Sequence, residues 1–336
     1  MKEISDLHRL RIPHFYLSLM DRENPLCPIR QQAVPSVLEA RKSGQDDPLR
    51  ENVFSVTPAL IKRHSNRAVF LATSQCAMYC RFCNRKRLVG KGWDPGAYRE
   101  ESLRYIEDNT QLREIIISGG DPFTLPSDEI GAILSRLRSI PHIETVRIST
   151  RMPVVFPEGI TETYFREMKK YAPLWIIIHI NHPREVSPEF LETVKRFRES
   201  GNMLISQTVL LRNINDCPYV LSRLFHRLVA AGIKPYYLFQ LDDAPGVSHF
   251  KVRLEKGIEI MRALRKTASG LAMPQYAIDI PGGLGKVPLD YAYVKGLTGK
   301  NVPVESATGA VGVYLNDGQR SSCMHCGICK DEDNSQ

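Results

Sequence analysis

Six short runs rich in apolar and β-branched residues set the architecture. They begin near Ala68 (AVFLAT), Glu114 (EIIIS), Thr145 (TVRIST), Leu174 (LWIIIHI), Met203 (MLISQTVL) and Pro235 (PYYLFQL). After the first gap they recur about every thirty residues, the length of one strand–helix unit. Segments with helical periodicity lie between them: Ile130, Ile133, Leu134 and Leu137; Phe190, Val194 and Phe197; Val220, Leu221, Leu224, Leu228 and Val229. Asp128, Ser187 and Asp216 stand near the expected helix starts. Strands alternating with helices predict an α/β fold, a parallel sheet with helices outside it. Six units close or nearly close a barrel, a partial (β/α)6 form; the eight of a full barrel are not found. In such folds the chemistry sits at the C-terminal ends of the strands.

The chain has 336 residues and is 43% hydrophobic, enough for a sizeable core and against wholesale disorder. Eight cysteines are too sparse for a disulfide-stapled miniprotein. No stretch approaches the roughly 18 apolar residues of a membrane span. Met1–Met20 scatters charges among its apolar residues, unlike a signal peptide. The expectation is a cytoplasmic protein with no membrane partner, where clustered cysteines favour metal or redox roles. The net charge of +8 is mild. Its basic runs, Lys62–Arg67 and Arg81–Arg87, flank a cysteine cluster, which suggests anionic cofactors or substrates as much as nucleic acid, and no nucleic-acid partner is expected. Prolines 25, 28, 35 and 48 restrict the first fifty-odd residues to short helices. The expected organisation is a helical lead-in over 1–55, a barrel core over 56–290 and an extension over 291–336. In the extension YAYV pairs with VGVYL as a hairpin, ahead of a cysteine tail.

The strongest chemical signal is Cys76-Ala-Met-Tyr-Cys80-Arg-Phe-Cys83, directly after the first strand. Three thiolates in so short a loop can bind three irons of a [4Fe–4S] cluster and leave the fourth open. Structural zinc takes four protein ligands, and this spacing is not a zinc-knuckle spacing. Ser118-Gly119-Gly120-Asp121 ends the second strand, where glycines allow close backbone approach to a ligand. Lys286 stands in the glycine-rich loop PGGLGKVP, placed to condense with an aldehyde. The phosphate-loop pattern GxxxxGK[ST] fails there, because Val287 follows the lysine. A tail, Cys323-Met-His-Cys326-Gly-Ile-Cys329, can hold zinc or a second cluster.

CxxxCxxC with an aromatic before the last cysteine resembles the radical S-adenosylmethionine superfamily. With SGGDP, CRFCNRKR and PGGLGKVP, the chain resembles the lysine 2,3-aminomutase family over nearly its whole length. HFYLSLMDRENPLCPIRQQAVPS, RMPVVFP (Arg151–Pro157), HINHP (His179–Pro183) and LLRNINDCP (Leu210–Pro218) also fit. The resemblance implies a radical-SAM barrel with a C-terminal zinc-binding extension, and an isomerase that converts L-lysine to β-lysine. It implies that Cys76, Cys80 and Cys83 hold the cluster, and that Ser118, Gly119, Gly120, Asp121 and His179 meet S-adenosylmethionine. Lys286 would hold pyridoxal phosphate, with Arg63, Arg67 and Gln207 at its phosphate. Arg85 would clamp the substrate carboxylate, and Asp242 and Asp279 the ε-ammonium. Cys217 would complete a zinc site with Cys323, Cys326 and Cys329 across a subunit boundary, His325 being an alternative to Cys323. A homodimer or homotetramer and a flavodoxin- or ferredoxin-type reductant follow from the same likeness.

Asp243-Ala244-Pro245 departs from the family pattern, and an extra acid there suits arginine or faces solvent. The same chemistry on arginine or another cationic amino acid is therefore one alternative. Supply of β-lysine for modifying elongation factor P is another, although those relatives generally lack the PGGxGK loop and the tail.

Overall fold

Ten strands form one sheet, hydrogen-bonded in chain order. The computed structural model describes residues 8–41, 43–295 and 300–316. They fall into two compact units, divided between Asp290 and Tyr291. In the first unit, β1 (Ser55–Thr57) and β2 (Leu60–Ile61) form one antiparallel edge. Then come β3 (Arg67–Thr73), β4 (Glu114–Gly119), β5 (Thr145–Thr150), β6 (Trp175–His179), β7 (Met203–Val209), β8 (Lys234–Phe239) and β9 (Gln275–Asp279). All of these pair in parallel. β10 (Lys286–Pro288) closes the other edge antiparallel to β9. The two edge strands are not paired with each other, so the sheet stays open.

Helices α1 (His14–Ser18) and α2 (Pro28–Ala33) belong to the lead-in. After β3 come α3 (Arg99–Asp108), α4 (Ser127–Arg138), α5 (Met152–Val155), α6 (Glu162–Lys170), α7 (Pro188–Glu199), α8 (Pro218–Ala230) and α9 (Leu254–Arg265). Their apolar stripes face the sheet. Ile130, Ile133, Leu134 and Leu137 of α4 are buried, as are Phe190, Val194 and Phe197 of α7. Each such side chain contributes roughly 1.5–3 kcal/mol relative to exposure. Ser187 caps α7 by accepting a hydrogen bond from the Phe190 amide, 3.1 Å. Strands covered on both faces become continuous apolar runs, as in Ile176, Ile177 and Ile178 of β6.

All six runs read from the sequence are strands, β3 to β8. The seventh parallel strand, β9, departs from that reading. Residues 240–253 and α9 separate it from β8 and break the thirty-residue rhythm. β9 also buries only Tyr276 and Ala277 fully, too short a signal to read. Asp279 is the last residue of β9.

In the second unit the hairpin pairs β11 (Asn301–Glu305) with β12 (Val311–Leu315). The expected partner YAYV supplies only one isolated bridge, Val294 to Val304. Cys323, His325, Cys326 and Cys329 lie outside the described residues. Among the described residues no helix is long and apolar enough to cross a membrane.

Candidate active site

The C-terminal ends of the parallel strands surround one cavity of about 520 Å³. Cys76, Cys80 and Cys83 line it together with Lys286, Asp242 and Asp279. The strand-end rule for parallel α/β folds thus places both halves of the expected chemistry in one chamber.

The lead-in clasps the cysteine loop. The Tyr79 amide donates to the Arg11 carbonyl at 3.0 Å, and the Arg81 amide to the Gln32 carbonyl at 2.9 Å. The Arg81 side chain is wholly buried, and its guanidinium donates to both carboxylate oxygens of buried Glu39 at 2.9 and 2.5 Å. Burial raises the Cys76 thiol well above its usual range, and Asp121 and the other two cysteines raise it further. Cys83 is pushed up to about 11 by burial and by Cys80. The ionised forms of Cys76 and Cys83 are therefore favoured only when a cation compensates them. Among the described residues, no three His, Cys, Asp or Glu are placed to hold a single metal ion. Three cysteines in one loop suit a cluster, whose thiolates sit on separate irons.

Beside the cysteines stand Ser118, Gly119, Gly120 and His179. The two glycines serve the backbone. A Cβ on Gly119, where φ is +118°, would lie 2.3 Å from the Thr73 carbonyl oxygen. One on Gly120 would lie 2.1 Å from that of Gln75. Their freedom lets β4 close on the start of the cysteine loop. Asp121 braces the same wall. Its carboxylate accepts from Thr150 Oγ1 at 2.8 Å and from the amides of Arg151, Met152 and Phe123 at 2.7, 3.0 and 3.2 Å. It touches the cavity wall but fixes the loop after β5. His179 is held to about 3 by burial and by Arg151, so it is a neutral ring at neutral pH. Its Nε2 lies 3.2 Å from Asn181 Oδ1.

Arg63, Arg67 and Gln207 also line the cavity. Arg63 Nη1 is a buried donor without an acceptor, as a phosphate site requires before its anion binds. Lys286 pairs directly across β9 and β10 with Asp279, and its Nζ donates to Asp279 Oδ2. Arg63 Nη2 lies 3.5 Å from Asp279 Oδ1, and that oxygen accepts no hydrogen bond. Lys286 Nζ also sits 3.9 Å from the Phe239 ring centroid, and Tyr237 stacks on Phe239 at 4.9 Å. An aldehyde-bearing, aromatic, phosphorylated cofactor fits these groups. Asp242 accepts from Asn84 Nδ2 at 2.7 Å, and burial and Asp279 raise it to about 6.

Sequence reasoning missed the partner of Arg85. Its Nε and Nη2 grip Glu51 Oε1 at 2.9 and 2.7 Å, while Nη1 donates to Ser118 Oγ at 3.0 Å. Arg87 ties Glu51 to Asp47 at 3.0 Å each. Burial disfavours the Arg85 charge, but Glu51 more than offsets this and keeps it cationic. Asp243 points elsewhere: it pairs with half-exposed Lys251 at 2.5 Å and does not line the cavity. Cys217 precedes α8, partly buried, as a free thiol.

Residues 70–221 match the radical SAM superfamily model, and the cysteine loop at the strand ends defines that class of enzyme. The chain is 37% identical to the L-lysine 2,3-aminomutase of Clostridium subterminale over 96% of this chain and 78% of that one. It is 40% identical to the enzyme of the same name from Fusobacterium nucleatum, over 91% and 73%. It is also 36% identical to the glutamate 2,3-aminomutase of Clostridioides difficile, over 91% and 75%. The chain belongs to the lysine 2,3-aminomutase family.

Proposed function

We propose that this chain converts L-lysine to β-lysine by moving the α-amino group to Cβ, using a [4Fe–4S] cluster, S-adenosylmethionine and pyridoxal phosphate. The observation that carries the reading is one cavity lined by three cysteines, by Lys286 and by Asp242 and Asp279. When bound, the cluster with S-adenosylmethionine supplies reversible hydrogen-atom abstraction, and pyridoxal phosphate supplies a carbonyl carbon that can hold an amino nitrogen.

The residues divide the remaining work. Cys76, Cys80 and Cys83 would hold the cluster. The wall of Ser118, Gly119, Gly120 and neutral His179 would seat S-adenosylmethionine, with Asp121 bracing it. Arg63, Arg67 and Gln207 would hold the phosphate, and Lys286 the cofactor's carbonyl. Engaging Lys286 Nζ elsewhere frees Asp279, which joins Asp242 as a pair of anions for the ε-ammonium. Arg85, oriented by Glu51, meets the substrate carboxylate. A neutral or anionic substrate end would leave two buried carboxylates unpaired, so the site selects a cation.

Lysine is favoured over arginine because Asp243, the extra acid, faces Lys251 and not the cavity. Supply of β-lysine to elongation factor P remains the downstream alternative. Zinc on Cys217, Cys323, Cys326 and Cys329 belongs to this reading, as do assembly into a homodimer or homotetramer and a flavodoxin- or ferredoxin-type reductant. The test is competition among lysine, arginine and glutamate with the anaerobically reconstituted protein. Lysine is expected to dominate; preferred turnover of arginine or glutamate would overturn the assignment.

A further inference from the structure

Arg151, the first residue after β5, is built into the cysteine loop. Its Nη1 donates to Cys80 Sγ at 2.8 Å. Its Nη2 donates to Glu185 Oε1 and Gln32 Oε1, both at 2.7 Å, and lies 3.3 Å from the Tyr16 hydroxyl. Tyr16 in turn donates to Glu185 Oε1 at 2.7 Å. Glu185 is fixed further by the Asn181 and His182 amides at 2.8 Å each. The guanidinium lies 5.1 Å from the Phe82 ring centroid and 5.7 Å from that of Tyr16. Side chains from the lead-in, the cysteine loop and the loops after β5 and β6 thus converge on one buried cation. Its Nε is buried and has no acceptor, so a donor remains for whatever the thiols hold.

A loop brace alone does not need this arrangement. The Glu185 carboxylate neutralises one unit of the network's charge, and Arg151 supplies the cation. The same guanidinium also donates to the sulfur of Cys80, one of the cysteines assigned to the cluster. When a cluster takes up an electron its negative charge grows, and a fixed cation with a donor on a ligating sulfur stabilises the reduced form.

We propose that Arg151 is a positioning residue that tunes the cluster: through its bond to the Cys80 sulfur it stabilises the added negative charge of the reduced cluster and raises the midpoint potential. The inference rests on the cluster assigned to Cys76, Cys80 and Cys83. The test is an anaerobic redox titration with dithionite, read by the paramagnetic signal of the reduced cluster, on wild type, Arg151→Gln and Arg151→Lys. At the wild-type midpoint, the ratio of reduced to oxidised cluster in R151Q is expected to fall about tenfold, equivalent to about 59 mV for one electron. R151K, which keeps the charge, is expected to stay within about threefold of wild type.

A second measurement needs no variant. In wild type carrying arginine labelled with 15N in the guanidinium, pulsed paramagnetic resonance should detect a nitrogen coupled to the reduced cluster. A loaded R151Q with an unchanged midpoint, or no coupled nitrogen in wild type, overturns the inference alone. A wild-type chain that takes up no cluster overturns the underlying assignment, and this inference with it.

Discussion

Replacing Asp242 by Asn should strengthen the ligand-free fold while damaging the enzyme. Burial and the neighbouring Asp279 lift the Asp242 carboxyl from 3.8 to about 6. A carboxyl raised in the folded state binds its proton more tightly there than in the unfolded chain. It therefore penalises folding above its unfolded value, and the penalty is complete above pH 6. Converting the difference gives about 3 kcal/mol at pH 8 and about half of that at pH 5. Asn removes the charge yet keeps an oxygen to accept from Asn84 Nδ2, so the 2.7 Å bond survives. Urea unfolding of the cofactor-free protein should show D242N more stable than wild type, by an amount that shrinks as pH falls from 8 to 5. With lysine the sign reverses. The ε-ammonium loses a buried partner, worth about 2 kcal/mol or more, so kcat/KM falls about thirtyfold or further. A D242N protein that is less stable at pH 8, or whose gain does not vary with pH, would refute the reasoning.

Glu39→Gln leaves the buried guanidinium of Arg81 without a full counter-charge, and Lys86, 3.8 Å from Glu39, loses its anion too. The expected cost is about 3–5 kcal/mol in urea unfolding, with reduced iron uptake because Arg81 lies between two cluster cysteines. Gly120→Ala forces a Cβ against the Gln75 carbonyl. It should cost about 1–3 kcal/mol and displace the cysteine loop, measured as lower iron content after reconstitution. Lys286→Ala should abolish the absorbance of lysine-bound pyridoxal phosphate while leaving the cluster's absorbance intact.

The strands β3 to β8 were legible because each carries a dense apolar run at regular spacing. The cysteine loop and Lys286 were legible because their neighbours in sequence are distinctive. β9 was not, since an intervening segment and α9 break the rhythm and its own signal is five residues long. The partners of the site residues were harder still. Glu39 meets Arg81 across 42 positions, Glu51 meets Arg85 across 34, and Arg151 meets Cys80 across 71. No local pattern encodes such pairings; they exist only once the lead-in folds over the strand ends. The glycines at the end of β4 show the converse. Their type was readable, but the steric reason for it lay in the carbonyls of Thr73, which ends β3, and of Gln75 just beyond it.

Movement of an amino group within one lysine molecule in this cavity is tested most directly with lysine carrying 15N at its α-amino group. Anaerobically reconstituted protein, reduced and supplied with S-adenosylmethionine and pyridoxal phosphate, should yield β-lysine with the 15N on Cβ. A fully loaded protein that makes no β-lysine, or that releases the 15N as ammonia, would contradict it.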